Sequence, residues 1–217
     1  MRGVRLGLPV FLGYVPVGAA FGLAAVSIGF SATQTTACSA LVFAGAGQFI
    51  AVNALRSGDG AIAALIATGV VNLRHLLFSA TLAPHLRGVD RPTQALLAFT
   101  LTDEVFAVNI SDLRAGRADR YSMLGVGVIS WTGWLLGTVI GALAGAAIGD
   151  PSKWGVEFAM SAMFVALLVG QITGRREIVA AALAAGLALA LTMVLPGMWP
   201  VVVGAIVAAT IMTAVSR

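Results

Sequence analysis

The chain has 217 residues, of which 59% are hydrophobic and only 10% are charged. An average soluble domain has roughly 45–50% apolar and about 25% charged residues, so this chain has too little polar surface for water and belongs in a lipid bilayer. Its single cysteine cannot form an internal disulfide, which excludes a disulfide-stabilised secreted domain. The net charge of +4 is not arranged as a basic stripe with interleaved aromatics, so we expect no nucleic-acid partner.

Eight apolar segments follow one another along the chain, and we predict an all-α, polytopic transmembrane helix bundle that forms one domain over residues 1–217. The fourth segment is weaker because it contains two acidic residues, and the count is seven if this segment does not cross. The predicted spans are residues 6–29, 34–55, 61–83, 93–110, 121–148, 156–173, 178–195 and 199–214.

The basic residues predict the orientation of this bundle. With the N-terminus in the cytoplasm and eight crossings, nine of them lie on the cytoplasmic side and three on the outer side, which is a strong positive-inside bias. The nine are Arg2, Arg5, Arg56, Arg114, Arg117, Arg120, Arg175, Arg176 and Arg217, and the three are Arg87, Arg91 and Lys153. We therefore expect both termini to be cytoplasmic.

An internal similarity suggests a duplication. Residues 43–52 align with residues 158–167, and both phenylalanines and both matched alanines agree. We predict two repeats over about 6–110 and 121–214, a plan that many secondary transporters share. The pattern leaves open whether the repeats are parallel or inverted.

Prolines and glycines mark two of the spans. The first span contains Pro9, Pro16, Gly18 and Gly22, which predict a kinked or broken helix. Such a helix would either expose its backbone groups to a ligand or be a simple packing kink. In the fifth span glycine recurs every fourth residue, and this spacing lets another backbone approach closely, from this chain or from a partner. These candidates for a partner interface are Gly133, Gly137, Gly141 and Gly145.

Six polar residues fall inside the second, third and fourth spans, and we predict that they bind substrate. They are Gln48, Asn72, Arg74, His75, Asp103 and Glu104. A charge at the bilayer centre costs about 2.5–3.5 kcal/mol on insertion scales, so such residues usually mark a substrate or proton pathway. The alternative for Arg74 is an ion pair with Asp103 or Glu104 that only fixes helix register. The alternative for Gln48 is a hydrogen bond between helices.

Five motifs resemble those of a known family. They are Leu-Gly-Tyr-Val-Pro-Val-Gly-Ala-Ala-Phe-Gly (12–22), Phe-Ala-Gly-Ala-Gly-Gln-Phe (43–49), Asn-Leu-Arg-His (72–75), Leu-Thr-Asp-Glu (101–104) and Pro-Gly-Met-Trp (196–199). Together they resemble the AzlC family, the large subunits of branched-chain amino acid exporters associated with azaleucine resistance. The resemblance implies efflux of leucine, isoleucine and valine, with methionine as a further candidate substrate, across the bacterial inner membrane. It also implies a small AzlD-type membrane subunit.

The residues and the resemblance lead to one hypothesis, a proton-coupled secondary-active exporter. Arg74 and a broken first span would bind the substrate carboxylate, and Asp103 or Glu104 would bind its ammonium group, while His75, Asp103 and Glu104 are the candidates for proton coupling. The chain has no Gly-x-x-x-x-Gly-Lys-Ser/Thr motif, so an ion gradient and not ATP should supply the energy.

Other classes of function remain as alternatives. One is a passive channel, and another is a subunit that supports a transporting partner. An intramembrane enzyme would use His75 with Asp103 or Glu104 for acid–base chemistry, but the chain lacks a nucleophile or metal constellation, so we expect no enzymatic activity. Two histidines and one cysteine offer no metal-ligand spacing, and we expect no cofactor.

Overall fold

The computed structural model describes residues 1–148, 165, 168–169, 172, 174–196 and 199–215. Within these residues all regular secondary structure is helical, which confirms the prediction of an all-α membrane bundle. Most of the predicted span 156–173, and with it nearly all of the second copy of the repeat at 158–167, falls outside the described residues. The predicted duplication therefore stays a prediction.

The described residues form ten α-helices and one 3-10 turn. They are α1 (Arg2–Ser27), α2 (Ala32–Leu41), α3 (Gly45–Arg56), α4 (Gly60–Asn72), α5 (Arg74–Leu82), the 3-10 turn Ala83–Leu86, α6 (Arg91–Phe99), α7 (Asp103–Arg114), α8 (Arg120–Ile148), α9 (Arg175–Leu191) and α10 (Trp199–Val215). In this part of the chain, three segments are long and apolar enough to cross a membrane: Arg2–Ser27, Gly60–Leu86 and Arg120–Gly145. Helices α9 and α10 pack against each other.

Helices α1 and α8 form the centre of the bundle and run in the same direction. A Cβ atom on Gly3 would overlap the backbone of Ser122, and one on Gly18 would lie 2.5 Å from the carbonyl oxygen of Trp134. Farther along, a Cβ on Gly22 would overlap the backbone of Thr138. The two backbones therefore touch directly, which only small residues at the interface permit.

The glycine stripe of α8 faces α1 of the same chain. Phe11 lies against Gly133, Val15 and Ala19 against Gly137, Ala19 also against Gly141, and Leu23 and Val26 against Gly145. The prediction that these four glycines bind a partner subunit is therefore wrong. The spacing indicated a close helix contact correctly, and the neighbouring helix is α1.

Helix α1 is continuous through both of its prolines, so the prediction of a broken first helix is wrong. Proline inside a helix costs about 3 kcal/mol or more because it removes a backbone hydrogen bond and clashes with the preceding turn. Contact with α8 along most of its length holds α1 together at Pro9 and Pro16. Gly18 and Gly22 serve this contact and not a hinge.

The helix is interrupted in three other predicted spans, twice by irregular residues and once at a single residue. Residues 42–44 separate α2 from α3 and residues 100–102 separate α6 from α7, whereas Leu73, between α4 and α5, keeps helical backbone angles of φ −54° and ψ −27°. At Leu73 the chain continues in the same direction, since Gly60–Leu86 is one membrane-length segment. At the other two breaks it reverses.

Helices α2 and α3 form a re-entrant hairpin. Gln48 Nε2 on α3 lies 3.1 Å from Ser39 Oγ on α2, which a straight continuation of the helix would not allow. The ring of Phe43 contacts Tyr14 at 5.8 Å, and the ring of Phe49 contacts Phe21 at 5.6 Å. Helix α3 therefore runs alongside α1 in the same direction, back to the side from which α2 entered.

Helices α6 and α7 form a second re-entrant hairpin, which enters from the other side. On its way in, α6 follows α8, because the ring of Phe99 contacts Trp131 at 6.2 Å. On its way out, α7 runs antiparallel to α1: Thr102 lies 2.8 Å from the hydroxyl of Tyr14, and Asp112 binds Arg2. The hairpin thus begins and ends on the side where α1 begins.

The first 116 residues therefore contain an inverted structural repeat. Each half consists of a crossing segment followed by a re-entrant hairpin, first α1 with α2–α3 and then α4–α5 with α6–α7. The returning helices α3 and α7 have 12 residues each, and both end in Leu-Arg, which one further residue and a glycine follow. The glycines, Gly58 and Gly116, have φ angles of +77° and +66°, which side chains with a Cβ rarely adopt.

The predicted crossing over residues 34–55 is therefore wrong, because this segment turns back. Residues 93–110 also turn back, which is the alternative in which the fourth segment does not cross. As a result, Arg56 lies on the side opposite the N-terminus, and Arg87 and Arg91 lie on the N-terminal side. Within residues 1–148, the arginines on the N-terminal side are now seven, against Arg56 alone on the other: Arg2, Arg5, Arg87, Arg91, Arg114, Arg117 and Arg120.

We expect the residues that follow the two returning helices to lie on opposite sides of the membrane. In a Cys38→Ala background, Ala115→Cys should react with a membrane-impermeant thiol reagent only from the N-terminal side, and Ser57→Cys only from the other side. An epitope tag at the N-terminus provides the reference. Eight full crossings would place both positions on the same side, so labelling of both from one side would contradict the two hairpins.

Candidate functional site

A central cavity of about 370 Å³ lies where the hairpin tips and the α4–α5 break meet. Four of the six predicted site residues line it: Arg74, His75, Asp103 and Glu104. The structure brings these four together because Arg74 and His75 begin α5 while Asp103 and Glu104 begin α7. The other walls come from α1, from the tip of the α2–α3 hairpin and from Trp134 on α8.

Arg74 and Asp103 form an ion pair inside the cavity. Arg74 Nη1 lies 2.5 Å from Asp103 Oδ2, and the two side chains are 30% and 29% exposed. The carboxylate of Asp103 is stabilised by the dipole of α7, in whose first turn it lies, and Arg74 supplies its counter-charge. Because both partners are partly exposed to the cavity, a ligand can reach either of them.

Glu104 is held by Tyr14 and Thr102. The Tyr14 hydroxyl donates to the Glu104 carboxylate, and its oxygen lies 2.8 Å from Thr102 Oγ1. Thr102 also caps α7 by accepting the backbone N–H of Val105 at 3.3 Å. The two adjacent acids therefore have different partners, Arg74 for Asp103 and a pair of hydroxyls for Glu104.

Sequence reasoning did not single out Tyr14 or Thr102. Both lie within the motifs 12–22 and 101–104, but neither residue is ionised at neutral pH, and only ionisable and amide residues were selected. Tyrosine also fits an apolar helix, and its ring here contacts Trp134 at 5.7 Å. Only the fold shows that its hydroxyl reaches Glu104.

His75 has one nitrogen engaged. Its Nδ1 lies 3.0 Å from the backbone oxygen of Asn72, and because a carbonyl only accepts, Nδ1 is the protonated nitrogen. In the neutral ring, Nε2 is then an acceptor.

Gln48 and Asn72 do not line the central cavity. The side-chain nitrogen of Gln48 bonds to Ser39 within the first hairpin, which is the hydrogen bond between helices expected as the alternative. Asn72 lies beside Gly47, where a Cβ atom would be 2.9 Å from the Asn72 side-chain nitrogen. Asn72 contributes to the site through its backbone oxygen, which orients His75.

The first turn of α3 contributes to the wall of the central cavity. Its N-cap residue, Ala44, makes no side-chain capping bond, whereas Thr102 caps α7. Ala44, Gly45 and Ala46 line the cavity, and the ring of Trp134 lies 3.2 Å from where a Cβ of Gly45 would be. An uncapped helix N-terminus beside a cation is a suitable position for a carboxylate.

Comparison with known proteins gives consistent results. The family model described as AzlC protein matches residues 9–148. The chain is 32% identical to the inner membrane protein YgaZ of Escherichia coli over 84% of this chain and 77% of that protein. It is 34% identical to an uncharacterized membrane protein of Archaeoglobus fulgidus over 80% of this chain and 76% of that protein.

A third relative has a named substrate class. The chain is 30% identical to the branched-chain amino acid transport protein AzlC of Bacillus subtilis over 76% of this chain and 64% of that protein. No solved structure matches the chain. The matched region 9–148 contains both hairpins and all residues of the central cavity.

We expect the Arg74–Asp103 pair to show energetic coupling in a double-mutant cycle. Arg74→Ala and Asp103→Ala should each lower the thermal stability of the purified protein in detergent, because each leaves a charge without its partner. The double variant should be more stable than the sum of the two changes predicts, by about 0.5–3 kcal/mol. Arg91→Ala, on the surface, is the control. Strict additivity would show that the pair does not form.

Proposed function

Because the chain belongs to the AzlC family, we propose that this membrane transport protein exports branched-chain amino acids in exchange for protons. The observation on which the proposal rests is the Arg74–Asp103 pair in a central cavity between two re-entrant hairpins. Discontinuous helices that meet at mid-membrane are typical of substrate sites in secondary transporters. The named Bacillus subtilis relative supports the substrate class.

The ion pair matches the charges of an amino acid. We propose that Arg74 and the first turn of α3 bind the substrate carboxylate, and that Asp103 binds the ammonium group. The substrate carboxylate thus takes the place of Asp103 beside Arg74, and the ammonium group takes the place of Arg74 beside Asp103. Neither Arg74 nor Asp103 is therefore left unpaired in a medium of low dielectric constant. The aliphatic side chain then lies against the apolar wall formed by Val10, Val17 and Trp134.

Glu104 is the proposed proton carrier. It lies next to Asp103 but outside the ion pair, so its protonation does not remove the charge that binds the substrate. The Tyr14 hydroxyl can donate to the ionised carboxylate or accept from the protonated one, so the contact can persist in both states. His75 is the second candidate, through Nε2.

The inverted hairpins support alternating access. Each hairpin closes the cavity from one side, and the two are related by the inverted repeat, as in transporters that expose one site to each side in turn. A passive channel would not need this arrangement. An enzyme is not supported by the relatives, which are named as transport or membrane proteins.

We propose further that the protein lies in the bacterial inner membrane with both termini in the cytoplasm. The seven-to-one distribution of arginines within residues 1–148 supports the orientation of the N-terminus. We also propose a small AzlD-type membrane subunit as the partner, on the strength of the family resemblance. Since α1 covers the glycine stripe, the partner must bind another surface.

The direct test is leucine counterflow in proteoliposomes, with and without the small subunit. Arg74→Ala should abolish counterflow, and Arg74→Lys should reduce it strongly, because lysine keeps the charge but loses the planar fork that holds a carboxylate at two points. Arg91→Ala should behave like the wild type. Normal counterflow by Arg74→Ala would remove Arg74 from the site. Leucine flux that never requires an exchange partner or an ion gradient would indicate a channel.

Glu104→Gln should separate exchange from coupling. The amide keeps the shape of the side chain but cannot ionise, so the variant should retain leucine exchange and lose the acceleration of leucine flux by a pH gradient. Asp103→Asn should lose exchange as well, because the ammonium group loses its counter-charge. If Glu104→Gln remains fully driven by the pH gradient, Glu104 is not the proton carrier.

A further inference from the structure

A second cavity lies between the two arms of the α2–α3 hairpin. It has a volume of about 210 Å³, and α1 closes its inner side. Its walls are mostly apolar, with Phe21, Ala25, Val42, Val52 and Leu55 among them. An engineered apolar cavity of about 150 Å³ is enough to bind benzene, so this one has room for a small aliphatic molecule.

One buried polar atom in the wall of this cavity has no partner among the described residues. Gln48 is 4% exposed, and its Oε1 accepts no hydrogen bond from this part of the chain. A buried acceptor without a donor costs about 1–3 kcal/mol. A molecule in the cavity that donates a hydrogen bond to Oε1 would remove this cost.

The surrounding hydrogen bonds fix which way the Gln48 amide points. Thr138 donates its only hydroxyl proton to the backbone oxygen of Trp134 at 2.9 Å. Ser39, 2.8 Å from Thr138 Oγ1, must therefore donate to it, and its own oxygen accepts from Trp134 Nε1 at 3.2 Å and from Gln48 Nε2 at 3.1 Å. The amide nitrogen is thus bound to Ser39, and Oε1 is an acceptor for a ligand.

The second cavity adjoins the central one. Residues 44–46 line the central cavity, while Gly47 and Gln48 line the second, so the first turn of α3 separates the two. The inverted repeat places a corresponding cavity of about 340 Å³ on the other side, among α5, α6, α7 and α8, with Leu82, Leu97 and Asn109 in its wall. The three cavities follow one another across the protein.

We propose that the cavity between α2 and α3 is a second binding site for an aliphatic amino acid, on the side opposite the N-terminus. Gln48 Oε1 accepts a hydrogen bond from the ammonium group, and the apolar walls enclose the side chain. Substrate that leaves the central cavity passes the first turn of α3 and occupies this site before release. The inference rests on the proposed function, since it assumes that the protein transports such a substrate.

Cys38 makes this site directly testable, because it is the only cysteine in the chain and lines the second cavity. Its Sγ lies 3.6 Å from Gln48 Nε2. A membrane-impermeant methanethiosulfonate should modify Cys38 in proteoliposomes from the side opposite the N-terminus. Leucine at ten times its dissociation constant should slow this reaction about elevenfold by occupying the site. 4-Methylpentanoate, which is leucine without the amino group, should not slow the reaction.

Two variants separate this site from the central one. Gln48→Met should raise the leucine concentration needed for protection by about tenfold or more, since a hydrogen bond to a charged group is lost. Asn53→Ala, exposed on the same helix, is the matched control and should leave protection unchanged. Arg74→Ala should lose leucine counterflow and keep the protection of Cys38.

The outcomes distinguish the two proposals. If the wild type shows counterflow but leucine does not protect Cys38, the second site is overturned and the proposed function stands. Equal protection by 4-methylpentanoate, or loss of protection in Arg74→Ala, also overturns it, because binding would then not involve Gln48 or would occur only at the central site. If the wild type transports no leucine in any arrangement of subunits, the proposed function fails.

Discussion

Helices α1 and α8 touch backbone to backbone, because glycine and alanine leave no side chains between them. Between transmembrane helices the hydrophobic effect contributes little, since lipid is as apolar as the side chains, and close packing supplies the attraction instead. This contact keeps α1 continuous at its two prolines and gives the hairpins a common support. Helix α2 rests on α8, and α7 rests on both α1 and α8.

The helix breaks follow from a second constraint of the bilayer. Irregular backbone is tolerated at membrane depth only where it is buried in protein or lines a cavity, since unpaired N–H and C=O groups cannot be solvated by lipid. The two irregular breaks, at residues 42–44 and 100–102, reach the central cavity through Phe43, Ala44 and Thr102, and Arg74 follows Leu73 into its wall. The starts of α3, α5 and α7 therefore meet around one space, and the charged residues at two of these starts, Arg74 and Asp103, neutralise each other there.

The sequence allowed the helical membrane class and most of the charged site to be predicted. Arg74, His75, Asp103 and Glu104 are conspicuous because they are ionisable residues in apolar segments. The hairpins could not be predicted in the same way. Residues 34–55 are long enough to cross the membrane, and a segment that turns back can have the same apolar composition as one that crosses. Glycine spacing in α8 likewise shows that a helix approaches closely, but not which helix. Tyr14 was missed because an aromatic residue with one hydroxyl gives no electrostatic signal.

The two hairpins also determine where a membrane potential acts. A cavity lies beside each hairpin, with the central cavity between them, so wherever these cavities fill with water the layer that separates the two sides is reduced to the hairpin tips and the Arg74–Asp103 pair. An electric potential falls mainly across the thinnest insulating layer. One elementary charge moved through the full potential changes its energy by about 2.3 kcal/mol per 100 mV. If Glu104 carries the proton as proposed, that proton would experience much of this change over a short path, and a membrane potential as well as a pH gradient would then drive the exchange.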